Sequence, residues 1–196
     1  MIPVVLASQS PRRRELLGLL GIVPEVAPAN IEEVHRAGET PTQYVLRLAR
    51  EKCEAVRRPG AAVIAADTTV ALKGQLLEKP RDAGDAARML ALLAGTSHQV
   101  HTAIAVAFDG RAASGVESTR VWFRNVTAVE IERYVATGEP MDKAGAYGIQ
   151  GYGAVLVERI EGDYFTVMGL GLARLIGLLA EVGLEYRFGQ GLARRG

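Results

Sequence analysis

Three consecutive arginines stand where a helix is predicted to begin, and residues 8–11 separate them from the short apolar run 3–7. Just before the arginines, Ser10 can cap a helix and Pro11 suits the first helical position. Arg12, Arg13 and Arg14 then fall in the first turn, where unpaired N–H groups and the helix dipole disfavour each cation by about 0.3–1 kcal/mol. A bound anion would offset this repulsion, and phosphate is a common ligand at helix N-termini. A solvated basic helix start is the alternative.

A carboxylate follows the next predicted buried strand. Residues 61–66 are apolar, and the strand that they predict ends at Asp67 and Thr68. Ligands of open α/β sheets bind at the carboxyl ends of strands. Asp67 could there hold a metal ion or accept a proton from water. As a single acidic residue it is equally compatible with an ordinary turn.

Lys52 lies in line with an apolar helical stripe. Val45, Leu48, Ala49 and Lys52 follow the spacing i, i+3, i+4, i+7. The ammonium group must therefore find a buried partner or extend to solvent, and the stripe alone favours extension.

Further charged residues lie in predicted loops. Glu32 and Glu33 precede the second predicted helix, and Lys79 closes a predicted hairpin. Such residues are usually solvated. A metal–phosphate site, however, needs carboxylates beside its cations, and Asp67 with one glutamate would be sufficient for Mg²⁺.

A glycine-rich segment, residues 145–153, could bring backbone close to a ligand. Gln150 offers a donor and an acceptor, which suits the edge of a pyrimidine base, and Tyr147 could stack or hydrogen-bond. This signal is weak by itself. The phosphate-binding loop of ordinary ATPases is absent.

Two other arrangements are unsupported. His98 and His101 lie three residues apart in a predicted strand, so they face opposite sides and make poor joint metal ligands. The glycine-flanked serine of α/β hydrolases is missing.

The elements around these residues predict an α/β protein with a mixed sheet, because crossover units and hairpins coexist. Asp109-Gly110 is a strong hairpin signal. Two strands are expected around Glu161-Gly162, and a loose tail is expected from about residue 189. The predicted helices cover residues 11–21, 41–57, 83–93, 127–137 and 170–182.

Composition narrows the class of protein. A chain of 196 residues that is 48% hydrophobic can form one domain or two closely packed lobes. The net charge of +1 argues against nucleic acid or an acidic membrane surface as a partner. A single cysteine, no apolar span of about 20 residues and no signal peptide lead us to expect a cytoplasmic protein.

Five segments in the same order resemble the Maf family of nucleoside triphosphate pyrophosphatases. They are LASQSPRR (6–13), ADT (66–68), EKPRD (78–82), GTSHQV (95–100, with Thr102) and DKAGAYGIQG (142–151). The resemblance implies a single Maf-like domain over residues 1–196, with an inosine-triphosphatase-like α/β fold of two lobes around a cleft, and a homodimer. The last segment resembles the subgroup that acts on dTTP and UTP.

The resemblance also implies roles for residues. By position, Asp67 is the proton acceptor, and Arg12, Thr68 and Gln150 determine specificity. Further site positions of the family match Arg13, Glu33, Lys52 and Lys79.

We therefore expect hydrolysis of dTTP or UTP, and of modified pyrimidine nucleotides, to the monophosphate and pyrophosphate. Mg²⁺ or Mn²⁺ would bind phosphate oxygens together with Asp67 and Glu33, and Arg12, Arg13, Lys52 and Lys79 would neutralise the leaving pyrophosphate. The alternatives are a pyrophosphatase for non-standard purine triphosphates and a nucleotide-binding regulator of septum formation.

Overall fold

Helices and strands alternate in the first part of the chain, and strands follow one another directly later on, so crossover units and hairpins coexist as the sequence predicts. The computed structural model describes residues 1–196. The α-helices are α1 (Pro11–Leu19), α2 (Pro41–Ala55), α3 (Ala83–Leu93), α4 (Ala128–Ala136), α5 (Tyr164–Met168) and α6 (Leu172–Glu181). The strands are β1 (Val4–Leu6), β2 (Glu25–Val26), β3 (Ala62–Leu72), β4 (Gln75–Leu77), β5 (Ser97–Phe108), β6 (Arg111–Phe123), β7 (Val157–Glu161), β8 (Leu184–Arg187) and β9 (Gly191–Arg194). Short 3₁₀ helices cover Glu139–Asp142, Ala144–Ala146 and Gly151–Leu156. None of the helices combines the length and apolar character needed to cross a membrane.

Seven strands form one mixed sheet in the order β2-β1-β3-β5-β6-β7, with β4 paired to β3. β1 runs parallel to β2 and β3, whereas β3–β4 and β6–β7 are antiparallel pairs. Parallel neighbouring strands need a crossover connection, which α1 supplies between β1 and β2. The antiparallel strands β3 and β4 are joined by a hairpin turn of two residues, Lys73 and Gly74, both with positive φ. The predicted α/β fold with a mixed central sheet and flanking helices is confirmed.

The chain divides into two compact units. Unit 1 contains Met1–Asp67, Thr102–Glu117 and Gly169–Gly196, and unit 2 contains Thr68–His101 and Ser118–Met168. In unit 1, strands and helices bury large aliphatic side chains, among them Leu6, Leu16, Leu48, Ile64, Leu175 and Leu178. Burial of each such side chain contributes roughly 1.5–3 kcal/mol. The core of unit 2 includes Val70, Leu90, Val121, Phe123, Tyr147 and Leu156.

Capping boxes in the sequence correctly predicted where two of the helices begin. The predicted capping boxes at Thr40 and Thr127 are both formed, and each opens the helix that was expected there. Asp82 accepts a hydrogen bond from the Asp85 N–H, and α3 has the predicted bounds.

Two local predictions were wrong. The segment after Gly162 is the helix α5 rather than a strand, because the Asp163 carboxylate accepts a hydrogen bond from the Thr166 N–H at 2.5 Å and starts a helical turn. The tail expected to be loose from residue 189 contains β9, which pairs with β8 and leaves Leu192 buried.

Candidate active site

The arginine cluster occupies the first turn of α1, as predicted, and no acidic residue accompanies it there. Ser10 is at the capping position, but its side chain makes no capping hydrogen bond. The N–H of Ser10 donates to Ser8 Oγ at 3.2 Å, so Ser10 holds the predicted capping position without a side-chain cap. The start of α1 thus has neither a side-chain cap nor a carboxylate of its own.

Arg13 is fixed by two hydrogen bonds within unit 1. It donates from Nη1 to Ser8 Oγ at 2.9 Å and from Nε to the Gly169 carbonyl at 3.0 Å. Desolvation lowers the pKa of Arg13, and the charge of Asp67 acts in the opposite direction. Because an arginine stays protonated under all ordinary conditions, a permanent positive charge is held in the field of that carboxylate.

Lys52 is buried within α2 and pairs with two carboxylates. Its Nζ donates to Asp67 Oδ1 at 2.6 Å and lies 2.8 Å from Glu33 Oε1. Since the Lys52 side chain is only 9% exposed, the favoured prediction that it extends to solvent was wrong. The alternative, a buried partner, is what the structure contains.

Asp67 lies within β3, not at its end. The strand continues to Leu72, because the β-branched residues Thr68, Thr69 and Val70 favour extended backbone. Parallel pairing with β1 nevertheless stops at Ile64, three residues earlier. Asp67 therefore lies beyond the carboxyl end of the parallel β1–β3 pairing, as expected, although β3 itself continues.

Burial raises the pKa of Asp67 above its ordinary value, while Lys52 and Arg13 act in the opposite direction. Desolvation disfavours the charged form of a carboxylate, and neighbouring cations favour it. A carboxylate with a raised pKa is a stronger base than an ordinary aspartate, which suits the acceptance of a proton near neutral pH.

Glu33 belongs to the segment between β2 and α2. Its carboxylate is about half exposed apart from the contact with Lys52, and its carbonyl accepts a hydrogen bond from Tyr44 Oη at 3.2 Å. Glu32 is exposed. Of the two adjacent acids, Glu33 is thus the one joined to the Lys52–Asp67 pair.

The other predicted site residues lie in unit 2. Thr68 is half-buried on β3 and Lys79 is exposed after β4. Gln150 is half-buried and precedes the 3₁₀ helix Gly151–Leu156. The Glu78 carbonyl accepts a hydrogen bond from the Gly145 N–H at 3.2 Å, so the segments that carry Lys79 and the glycines are neighbours.

The two histidines play structural parts in unit 2. His98 is buried, and its Nε2 lies 2.8 Å from the hydroxyl of Tyr147, whereas His101 bonds Ser118. Tyr147 is itself buried and packs edge-to-face on Phe123. The hydroxyl of Tyr147 is therefore engaged by a core histidine, whereas the two roles considered for Tyr147 were contacts with a ligand.

Several supporting residues were missed at the level of sequence. Their side chains hydrogen-bond the backbone of predicted site segments, and they are Ser8, Tyr44, Arg47, Tyr134 and Glu139. Ser8 lies inside the LASQSPRR segment and could have been found there. The others had no local signal, because their partners are distant in the chain or are backbone groups.

The described site thus combines a helix start that carries three arginines with a buried ion pair between Lys52 of α2 and Asp67 of β3, in a protein of mixed α/β fold. The chain belongs to the family of Maf-like proteins, which matches residues 3–182.

Curated relatives cover most of the chain. The chain is 52% identical to the dTTP/UTP pyrophosphatase of Anaeromyxobacter dehalogenans strain 2CP-1, over 92% of this chain and 94% of the relative. It is 50% identical to the enzyme of the same name from Salmonella typhimurium, over 92% and 93%. The corresponding Bacillus pumilus protein is 45% identical, over 94% and 98%. Among solved structures, the Staphylococcus aureus Ham1 protein matches 79% of each chain with 13% identity and a TM-score of 0.47.

Proposed function

We propose that this protein is a nucleoside triphosphate pyrophosphatase that hydrolyses dTTP and UTP to the nucleoside monophosphate and pyrophosphate. The observation that carries the proposal is the buried ammonium of Lys52 between the carboxylates of Asp67 and Glu33. Family membership and relatives at about half identity, named dTTP/UTP pyrophosphatase, support the choice of substrate.

In this reaction, water attacks the α-phosphorus and the bond from that phosphorus to the bridging oxygen breaks. Asp67 accepts the proton that the attacking water loses, and pyrophosphate leaves with the bridging oxygen. The raised pKa of Asp67 supports this role, because it makes the carboxylate a better proton acceptor.

Cationic side chains stabilise the charge that builds up on the leaving pyrophosphate. We assign this role to Arg12, Arg13, Lys52 and Lys79, with Arg12 and Arg13 as direct substrate ligands. The rigid hold on Arg13 supports the assignment, because a fixed charge needs no reorganisation during the reaction.

Glu33 and Asp67 are the proposed ligands of a divalent cation, Mg²⁺ or Mn²⁺. The chain holds no group of three or more histidine, cysteine, aspartate or glutamate residues that could bind a metal ion alone. Two carboxylates nevertheless fit Mg²⁺, which is commonly bound by one or two carboxylates together with substrate phosphates and water. When bound, the ion would add charge neutralisation at phosphate oxygens.

Thr68 and Gln150 are proposed to read the pyrimidine ring. A glutamine amide has both a donor and an acceptor, which match the imide N–H and a carbonyl of thymine or uracil.

We also expect a homodimer, for which light scattering should give twice the mass of one chain.

The decisive experiment is a panel of nucleoside triphosphates, standard and non-standard, with pyrophosphate release measured with and without Mg²⁺ or Mn²⁺. The proposal predicts the highest kcat/KM for dTTP and UTP and a requirement for the metal ion. A preference for ITP or XTP would instead indicate a pyrophosphatase for non-standard purines. Tight binding without turnover of any nucleotide would contradict an enzymatic role and favour a regulator.

A further inference from the structure

A single carboxylate organises the segment that carries Gln150. Glu139 is half-buried at the start of the 3₁₀ helix Glu139–Asp142. Its Oε2 accepts a hydrogen bond from the Tyr152 N–H at 2.8 Å, and its Oε1 accepts one from the Gly153 N–H at 2.9 Å. These N–H groups belong to the first turn of the 3₁₀ helix Gly151–Leu156, which has no intrahelical partners for them.

Gln150 occupies the capping position of that helix, but its side chain makes no capping hydrogen bond. The short polar residues Ser, Thr, Asn and Asp use their side chain at this position to satisfy the first-turn N–H groups, and glutamine is not one of these capping residues. Here Glu139 does so from 13 and 14 positions earlier in the chain. The amide of Gln150 is therefore not needed to cap its own helix, and it can serve another partner.

Tyr134 joins the two ends of the segment through the same carboxylate. Its hydroxyl donates to Glu139 Oε1 at 2.8 Å and accepts from the Gly148 N–H at 3.2 Å. Residues 148 and 153, on either side of Gln150, are thus tied to one buried phenol and one carboxylate. Tyr134 is 6% exposed, so this connection is largely shielded from water.

The glycines of the segment are matched to this arrangement. A Cβ at Gly151 would lie 2.5 Å from Glu139 Oε2, and one at Gly153 would lie 2.4 Å from the Gly148 carbonyl oxygen. Only glycine allows the backbone to approach the carboxylate so closely. Residues 148–153 include three glycines, which have no side chains to hold the backbone in place, and Glu139 supplies hydrogen bonds to this backbone instead.

The charge state of Glu139 suits the role. Burial tends to raise the pKa of Glu139, but hydrogen bonds from Gly153, Tyr152 and Tyr134 outweigh burial and leave it below its ordinary value. Burial raises the pKa of Tyr134, which keeps the phenol protonated and able to donate. The carboxylate is therefore ionised and can accept all three bonds at neutral pH.

We propose that Glu139, with Tyr134, is a positioning residue for nucleobase specificity, which fixes the direction in which Gln150 presents its amide. The inference rests on the proposed function, because it assumes that Gln150 reads a pyrimidine base. Glu139 acts through Gln150 and through the backbone of residues 148–153, with no contact to the reacting phosphate required.

The test compares Glu139→Gln, Glu139→Ala and Tyr134→Phe with Gln150→Ala and with the matched control Glu132→Gln, an exposed glutamate of α4. The readout is the ratio of kcat/KM for dTTP to that for dATP. We expect this ratio to fall about 10- to 100-fold in Glu139→Ala and Gln150→Ala. Glu139→Gln keeps one acceptor oxygen and should fall between the wild type and alanine, and Glu132→Gln should keep the wild-type ratio.

The ratio of kcat/KM for dTTP to that for dATP distinguishes a loss of base positioning from a general loss of protein stability. A smaller folded fraction lowers the rates for both nucleotides equally and leaves their ratio unchanged. Amide hydrogen exchange supplies a second readout that does not depend on activity, since the Tyr152 and Gly153 amides should exchange faster in Glu139→Ala. An unchanged nucleotide ratio in Glu139→Ala, or unchanged exchange of these amides, overturns the inference.

The outcome also distinguishes this inference from the proposed function. If the wild type does not hydrolyse dTTP or UTP, the proposed function fails regardless of the variants. If the wild type prefers dTTP and Gln150→Ala loses that preference while Glu139→Ala keeps it, only the role of Glu139 fails. If Gln150→Ala keeps the preference for dTTP, Gln150 does not recognise the base, and the role of Glu139 in positioning Gln150 fails with it.

Discussion

Arg47 donates two hydrogen bonds to the carboxylate of Glu39, from Nε at 2.7 Å and from Nη2 at 2.8 Å. The same Nη2 donates to the Val34 carbonyl at 2.9 Å. One guanidinium on α2 therefore ties down both ends of the segment that follows Glu33. The hydrogen bonds from Arg47 are the main reason that the pKa of Glu39 is lowered to about 2.

Replacing Arg47 by lysine should loosen this segment. Lysine keeps the charge but cannot form the paired hydrogen bonds of a guanidinium. We expect the opening free energy of residues 33–39 to fall by about 1–3 kcal/mol, measured by amide hydrogen exchange, and kcat to fall with it. Arg36→Lys is the matched control, because the Arg36 side chain is exposed and pairs only with Glu51 on the surface. Equal exchange in both variants would contradict the bracing role.

Removing Lys52 should destabilise unit 1 through an uncompensated buried charge. Lys52→Met leaves Asp67 without its ammonium partner, and such a loss costs about 3–5 kcal/mol of unfolding free energy. The cost should shrink as the pH falls, because Asp67 can then take up a proton. The double variant Lys52→Met/Asp67→Asn should be more stable than the sum of the single effects implies. Additive effects in urea denaturation would mean that the two side chains do not interact.

Asp67→Asn should retain the fold and lower kcat by about 10²–10⁴, the range expected for loss of a general base. Asparagine has nearly the same shape and can still accept from Lys52, so circular dichroism should be unchanged. Asp109→Asn makes the same chemical change at an exposed hairpin turn and should keep full activity. Near-normal turnover of Asp67→Asn would remove Asp67 from the mechanism.

Burial of His98 should make unit 2 acid-sensitive. Burial lowers the pKa of His98 from 6.5 to about 4, so the unfolded chain binds the proton more readily than the folded protein. Stability should therefore decrease as the pH falls from 6.5 towards 4, by up to about 3 kcal/mol from this residue. His98→Gln should flatten the curve of unfolding free energy against pH in that window. Parallel curves for the wild type and the variant would show that His98 does not titrate in this way.

Sequence reasoning succeeded where the physical signal is local. Capping residues lie within three positions of the N–H groups that they satisfy, so α2 and α4 begin where their capping boxes predict. The hairpin predicted at Asp109-Gly110 depends on two residue types that tolerate positive φ, and both have it in the structure. Such features need no knowledge of the remaining chain.

The candidate site was harder because its contacts join distant segments. The amphipathic pattern placed Lys52 on the apolar face of α2, but only the packing of α2 against β3 gives it Asp67 as a partner. Arg13 bonds a carbonyl at Gly169, 156 positions away. Glu139 had no signal in the sequence, because two of its three partners are backbone N–H groups, which every sequence has, and the third is the hydroxyl of Tyr134.

The close approach of Glu139 to the glycines also limits how nucleotide preference could be redesigned. Saturation mutagenesis at Gly151 and Gly153 should yield almost exclusively inactive or poorly selective clones, since any side chain there displaces the carboxylate or the neighbouring carbonyl. Variation is open at Ile149 and Gln150, which are only half-buried. A laboratory evolution campaign aimed at a purine-preferring enzyme would therefore do best to randomise those two positions and leave the surrounding scaffold alone.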